Sequence, residues 1–208
     1  MSRPPRFEEI AARLVPARAH WRNRGDLARE TPPPGVSIEA PGPGQESVWT
    51  YPRPPRVDDV VPRIRVVFGG RTIAETTRAK RIVETAGAPV YYVPPEDVAA
   101  GVLRETSDWS FCEWKGAATT LDVVVGERTA RAAAWTYREP FTDLEGPGDG
   151  GTHDYARIAG YAGFLAAKMD ACYVGDERAR PQPGGFYGGW VTDAIAGPIK
   201  GDPGSESW

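Results

Sequence analysis

Apolar and polar residues alternate along the middle of the chain, and this alternation predicts β-strands. Ile64, Val66 and Phe68 are separated by polar or smaller residues, the Gly69-Gly70 pair follows as a turn, and residues 71–78 run back. The same pattern predicts strands at 80–85 and 89–93. It also predicts a hairpin joining 119–125 to 128–137 and another joining 170–174 to 177–180. We therefore expect a mainly β protein.

Three segments have a helical pattern instead. Residues 8–20 carry apolar side chains at helical spacing, and residues 94–103 open with prolines and acids, which favour a first helical turn. Residues 156–168 have a helical composition that Gly160 and Gly163 weaken. The sequence thus predicts one or two short helices beside the strands.

The chain divides by composition at about residue 45. Residues 1–45 form a leader with a Pro/Gly-rich linker, and residues 46–208 are expected to form a single domain. The last part, residues 183–208, is rich in glycine but keeps Phe186, Tyr187, Trp190 and Trp208. Because a disordered tail rarely carries so many aromatic residues, we expect an ordered strap packed over the domain.

Charge and cysteine content exclude several classes of protein. The formal net charge of −3 argues against a basic nucleic-acid clamp. No apolar run approaches the ~20 residues of a membrane span, and no signal-peptide core follows the first residues. Cys112 and Cys172 are too few for a disulfide framework or a four-sulfur zinc site. We expect a reduced, cytoplasmic chain without a membrane partner.

Most cofactor and catalytic motifs are missing. The string G-x-G-x-x-G occurs at 146–151, but no apolar strand precedes it and no helix follows it. The chain has no P-loop and no G-x-S-x-G. Its two histidines, His20 and His153, stand beside no cysteine, serine or carboxylate pattern. The sequence therefore indicates no metal and no cofactor.

One group of residues in the β region carries candidate chemistry. A carboxylate, an amine and a thiol near an aromatic wall suit acid–base or nucleophilic chemistry without a cofactor. Structural roles remain an alternative: Glu84 and Lys115 as a half-buried ion pair, the aromatic residues as core, and Cys112 as an inert thiol. The candidate catalytic residues are Glu84, Lys115 and Cys112, and the candidate ligand-binding residues are Tyr92, Trp114, Trp135 and Tyr137.

Eight short runs from residue 46 onward are ESVWTYPRPPR (46–56), VFGG (67–70), VET (83–85), PVYYVP (89–94), FCEWKG (111–116), AAWTY (133–137), RPQPGGFYGGWVT (180–192) and GPIKG (197–201). In this order they resemble the bacterial family called domain of unknown function 427, which is also labelled nucleotidyltransferase-like. The chain departs from the family pattern in its longer leader and at residues 142–168.

The resemblance implies a β-tent-like fold, in which two antiparallel sheets lean together around an aromatic-walled pocket. Related tent folds, the methionine sulfoxide reductases and the cyclic-imide-binding domain of cereblon, hold zinc with paired C-x-x-C motifs that this chain lacks. Nucleotidyl transfer needs paired metal-binding carboxylates after a glycine turn. Gly69-Gly70 is followed by the single Glu75, so the label does not carry over.

We therefore expect a pocket that binds or converts a small polar metabolite. Catalysis, if present, would be of a cofactor-independent hydrolase or isomerase/lyase type. One alternative is a non-catalytic peptide- or modification-binding module, by analogy with cereblon. The other is a nucleotide or single-stranded nucleic-acid binder, using the arginines that lie near Tyr51. These are Arg53, Arg56, Arg63 and Arg65.

Overall fold

The structure is a computed structural model that describes residues 9–10, 12–13, 32–142, 153–205 and 208. In these residues the regular structure consists of strands and short helices. The strands are β1 (Glu46–Ser47), β2 (Arg56–Asp59), β3 (Ile64–Phe68), β4 (Arg71–Thr76), β5 (Lys80–Val83), β6 (Val90–Val93), β7 (Leu103–Cys112), β8 (Gly116–Val125), β9 (Arg128–Thr136), β10 (Ala162–Phe164), β11 (Ala171–Val174), β12 (Glu177–Arg178), β13 (Arg180–Pro181), β14 (Trp190–Val191) and β15 (Ile195–Ala196). The 3-10 helices are Val48–Thr50, Pro95–Asp97, Tyr155–Ile158 and Ala166–Lys168.

Two antiparallel sheets form the body of the protein. The larger has seven strands in the order β2-β5-β6-β10-β9-β8-β7, and the smaller has four in the order β12-β11-β3-β4. All of their neighbouring strands pair antiparallel. The prediction of a mainly β protein built from antiparallel sheets is confirmed, and the three hairpins that the sequence predicts are all present.

The main core lies where the two sheets meet. Ile64, Val66 and Phe68 point inward from β3, as their alternation predicts, and join Val93 and Phe164 of the larger sheet in one buried cluster. β10 is covered on both faces of the sheet, by the main core at Ala162 and Phe164 and by the Trp135 ring at Gly163, so its three residues are all buried. The smaller sheet thereby covers one face of the larger one.

The opposite face of the larger sheet carries a second, more aromatic cluster, here called the aromatic cluster. Tyr91 belongs to the main core and Tyr92 to the aromatic cluster, as the alternation of side chains along a strand requires. The buried members of the aromatic cluster are Val57, Ile82, Tyr92, Trp114, Ala118, Tyr137, Tyr155 and Ile158, with Cys112 and Trp135 among those packed against it.

The C-terminal strap is ordered in its described residues 183–205 and 208. Trp190 inserts into the main core, where its indole nitrogen donates to the Phe164 carbonyl oxygen at 2.9 Å. β14 pairs with β13, and β15 pairs in parallel with β1 near the start of the predicted domain. Glu39 of the preceding segment accepts a hydrogen bond from the Gly197 amide at 3.0 Å. The domain boundary at residue 45 stays a prediction.

Two helix predictions are wrong. Residues 94–103 form only the 3-10 helix Pro95–Asp97, because the chain then joins the edge of β4: the Ala99 amide donates to the Ile73 carbonyl at 2.7 Å and Leu103 opens β7. Residues 156–168 contain β10 between two 3-10 helices. Gly163 of β10 lies against Trp135 on the neighbouring strand, so its lack of a side chain serves a sheet contact.

Other predictions fall on residues that are not described. Residues 9, 10, 12 and 13 are helical, and the rest of the helix expected over 8–20 lies outside the described residues. So do His20 and the G-x-G-x-x-G string at 146–151. Among the described residues, no helix has the length and apolar character that crossing a membrane requires.

Candidate functional site

Lys115 sits in the turn between β7 and β8. Cys112 ends β7, and Gly116 begins β8 with a φ of +95°, a backbone conformation that favours glycine. The Phe141 amide donates to the Lys115 carbonyl oxygen at 3.0 Å and holds the turn in place. The turn therefore has a fixed backbone, and its lysine side chain is directed into the protein, where Lys115 is only 8% exposed.

The ammonium group of Lys115 has no direct charged partner in the described part of the chain. No described carboxylate or other acceptor lies within hydrogen-bond distance of its Nζ. Its closest ring contact is Tyr137, whose centroid is 5.7 Å from Nζ. Since a buried charge without a partner is costly, such a lysine indicates a position where a ligand supplies the negative charge.

Aromatic residues from two strands surround this lysine. Tyr92 of β6 and Trp135 of β9 meet edge to face with ring centroids 6.1 Å apart, and the Trp135 indole nitrogen donates to the Tyr92 hydroxyl at 3.3 Å. Tyr137 lies 6.4 Å from Tyr92, centroid to centroid. Trp135 and Tyr137 thus share one face, as their alternation along the chain predicts, and Tyr92 of the neighbouring part of the sheet lies on the same face. The Tyr92 hydroxyl accepts from Trp135 and keeps its own proton available for donation.

The electrostatic surroundings of Lys115 keep it charged. Burial lowers the pKa of its ammonium group, but attraction to Cys112, Tyr92 and Glu84 outweighs burial, so the pKa lies above its usual range. Burial also raises the pKa of Tyr92 and, to a larger extent, that of Tyr137, which further bonds to Cys112. At neutral pH the site therefore presents a cation and neutral hydroxyl groups.

Glu84 is close enough to influence Lys115 but is held by other cations. Its carboxylate oxygen contacts Arg53 Nε at 3.2 Å and Lys200 Nζ at 3.3 Å, rather than Lys115. Burial raises the pKa of Glu84, whereas Lys200, Arg53 and Lys115 lower it, and the net result lies below its usual range. The half-buried ion pair between Glu84 and Lys115, which the sequence left as an alternative, is replaced by this three-residue cluster.

We expect Glu84→Gln to remove a pH-dependent part of the stability. A lowered carboxylate pKa stabilises the fold fully above the unfolded value of about 4.3 and less as the pH falls through the folded value. Urea unfolding from pH 7 to pH 3 should show wild type more stable than the variant by about 1–3 kcal/mol at pH 7, with the gap closing in acid.

The control for this prediction is Glu127→Gln, at an exposed hairpin turn. It should leave the pH profile as in wild type. Wild-type and Glu84→Gln profiles that run parallel down to pH 3 would show that the cluster of Arg53, Glu84 and Lys200 does not hold the carboxylate in its charged form.

Cys112 and Trp114 flank the lysine turn. Cys112 is partly buried, packs against the aromatic cluster and bonds to the Tyr137 side chain. Trp114 is 3% exposed and belongs to the cluster itself. The structure thus brings six of the seven predicted site residues to one face of the larger sheet, and places Glu84 beside them in the ion cluster.

Three residues of this region were missed by the sequence analysis as site residues. Arg53 was assigned to a basic stretch, Lys200 was quoted only in a resembling run, and Tyr155 lay just before the predicted helix at 156–168. Lys200 lies 5.0 Å from the centroid of Tyr187, and the Tyr155 hydroxyl donates to the Pro55 carbonyl at 2.7 Å. The signal for Lys200 was present, because it is one of only four lysines in the chain.

Metal binding and base stacking find little support in the described residues. No three His, Cys, Asp or Glu side chains there are grouped as metal ligands. Tyr51, the candidate stacking residue, is 2% exposed and donates to Glu46 at 2.8 Å. The four arginines near it make contacts within the protein: Arg53 with Glu84, Arg56 with Asp58, Arg63 with Glu75 and Arg65 with the Tyr173 ring.

Comparison with known proteins adds one family. The family described as domain of unknown function (DUF427) matches residues 56–175, which include every strand of the larger sheet, the strands β3, β4 and β11 of the smaller sheet, and the lysine turn. The strap lies beyond the matched residues. A search of the curated proteins found no match.

Proposed function

The chain belongs to the DUF427 family, and from the site described above we propose that it binds a small anionic metabolite at Lys115. The observation that carries this proposal is the buried ammonium group with no charged partner among the described residues. The groups around it are neutral hydroxyl and indole groups, which leaves the cation as the main polar feature. A carboxylate or phosphate group on a small ligand is the chemical complement of such a site.

Binding is favoured over acid–base catalysis by the state of Glu84. A general base works best when its pKa lies near the working pH. Glu84 is instead held as a carboxylate by two close cations, which lower its pKa. Its contribution under this proposal is to fix Arg53 and Lys200 beside the site.

The peptide-binding alternative meets an obstacle at the sheet edge. β7 is the longer of the two edge strands of the larger sheet and offers a surface for strand addition. However, it carries charged Arg104, Glu105 and Asp108, and its pairing with β8 is interrupted between Glu105 and Trp109. Charges and bulges are features that protect edge strands against pairing, so this edge does not favour a peptide ligand.

The proposal is tested by thermal unfolding in a panel of small anions. Acetate, succinate, phosphate and sulfate are titrated into wild type, Lys115→Met and the exposed-lysine control Lys168→Met. An anion at 100 times its Kd stabilises the folded protein by about 2.7 kcal/mol. For a chain of this size this corresponds to a Tm increase of roughly 5–10 °C. We expect this increase in wild type and Lys168→Met and its loss in Lys115→Met; equal shifts in all three proteins would contradict the proposal.

A further inference from the structure

A second buried ammonium group lies near the Lys115 site. Lys200 of the strap is 6% exposed, and its Nζ atom lies 3.3 Å from the Glu84 carboxylate and 5.0 Å from the centroid of the Tyr187 ring. Lys115 acts on the same carboxylate, since its charge also lowers the pKa of Glu84. Two of the four lysines in the chain are therefore buried within electrostatic range of one carboxylate.

One carboxylate does not balance both ammonium groups. A single oxygen of Glu84, Oε1, accepts from Lys200 at 3.3 Å and from Arg53 at 3.2 Å. Both distances are longer than the roughly 2.7–2.9 Å that is usual for hydrogen bonds between charged groups. A ligand with one negative charge at Lys115 would leave Lys200 dividing the charge of Glu84 with Arg53. A second negative charge on the ligand is therefore favoured near Lys200.

A row of aromatic side chains connects the two lysines. At one end, Lys200 lies over the Tyr187 ring, and the next residue, Gly188, lies so close to Trp135 that an added Cβ would be 2.2 Å from its ring. At the other end, Lys115 lies 5.7 Å from the centroid of the last tyrosine in the row. The row consists of Tyr187, Trp135, Tyr92 and Tyr137, here called the aromatic wall. A ligand lying along the aromatic wall would meet one ammonium group at each end.

The strap holds Lys200 in place from both sides of its peptide backbone. The Lys200 amide donates to the Ala86 carbonyl oxygen at 2.8 Å, and the side-chain amide of Gln182 donates to the Lys200 carbonyl oxygen at 2.9 Å. Gln182 is itself 4% exposed. The backbone of Lys200 is therefore fixed before any ligand binds, which lowers the entropic cost of using this lysine in binding.

We propose that the ligand is a small dicarboxylate, with one carboxylate bound at Lys115, the other at Lys200 and the carbon chain between them against the aromatic wall. This inference rests on the anion binding at Lys115 proposed above and names the class of ligand. Lys200 keeps two of the three hydrogen-bond donors of an ammonium group for the ligand, because Glu84 takes one. A ligand whose charges lie on a single phosphate group would reach only one end of the aromatic wall.

Isothermal titration calorimetry of the full chain compares ligands that differ by one charge. Succinate and glutarate carry two carboxylates, their monomethyl esters carry one, and inorganic phosphate carries its charge on one group. We expect the tighter of the two dicarboxylates to bind about tenfold more tightly than its ester, the effect of one further charged hydrogen bond. Equal binding of dicarboxylate and ester, or tighter binding of phosphate, would overturn the dicarboxylate assignment and leave anion binding at Lys115 intact. Absence of binding by every probe would overturn both proposals.

Matched variants locate the second carboxylate. Lys200→Gln should lower the affinity for the dicarboxylate to that for its ester, while the affinity for the ester stays within about threefold of wild type. Lys115→Met should lose both ligands, and Lys168→Gln, at an exposed lysine, should bind both as wild type does. A preference for the dicarboxylate that persists in Lys200→Gln would overturn the assignment. If Lys200→Gln does not fold, the comparison of dicarboxylate and ester in wild type decides the question by itself.

Discussion

Lys115→Met is expected to leave the stability of the ligand-free protein within about 1 kcal/mol of wild type in urea unfolding. Methionine has a similar length and no charge, so it fills the same space. No ion pair is broken by the change, and the attraction of the ammonium group to its surroundings is largely offset by its burial. The variant should therefore keep its stability in the absence of ligand and lose the response to anions.

A large loss of stability in Lys115→Met would have a different meaning. If Lys115 were one half of a structural ion pair, removing it would leave a buried carboxylate alone and cost about 3–5 kcal/mol. Such a loss would contradict the account, because it would show that the protein itself supplies the counter-charge. Lys168→Met reports the effect of removing an exposed lysine, and the two variants are compared in the same buffer.

Gly184→Ala is expected to destabilise the protein by about 2–5 kcal/mol. A Cβ at this position would lie 2.0 Å from the Gly201 carbonyl oxygen, and the residue has a φ of +80°. The backbone crowding costs about 1–3 kcal/mol. The left-handed conformation adds about 1–2 kcal/mol. Urea unfolding measures the sum.

Gly185→Ala is the matched control, because Gly185 has a φ of +70° and no atom within 4 Å of the added Cβ. It should cost only about 1–2 kcal/mol. The difference in the free energy of unfolding between the two variants measures the backbone contact between Gly184 and Gly201 of the strap. Equal losses in both variants would show that the strap does not pack as described at Gly201.

The strap contact also bears on the lysine site. Lys200, which contacts Glu84, directly precedes Gly201, and Gly188 lies against Trp135 so closely that an added Cβ would be 2.2 Å from its ring. Displacing the strap should therefore loosen both the ion cluster and the aromatic wall. We expect Gly184→Ala to weaken anion binding more than Gly185→Ala does.

The strands were predictable because their signal is local. The alternation of Ile64, Val66 and Phe68, and the turn at Gly69-Gly70, specify β3 and β4 without reference to the rest of the chain. The strand at residues 162–164 was predicted as helix because its signal is not local. β10 pairs with β6 and β9, which come from distant parts of the sequence. From its immediate neighbours alone, Gly163 only weakens a helix prediction and does not indicate a strand.

The candidate site shows the same division. The shared face of Trp135 and Tyr137 follows from strand alternation, whereas the turn around Lys115 depends on the pairing of β7 with β8, which the sequence analysis did not predict. The partners of Glu84 do not follow from the local sequence, because Lys200 lies 116 positions away along the chain and Arg53 lies 31 positions away.

Anion binding at Lys115 can be observed in a crystal of the wild-type protein soaked in bromide. Bromide is a small anion whose anomalous scattering identifies it independently of the refined atoms. We expect an anomalous peak in contact with Lys115 Nζ, beside the rings of Tyr92 and Tyr137. A Lys115 ammonium group bound to a carboxylate of the protein, with no bromide beside it, would show that the protein itself supplies the counter-charge.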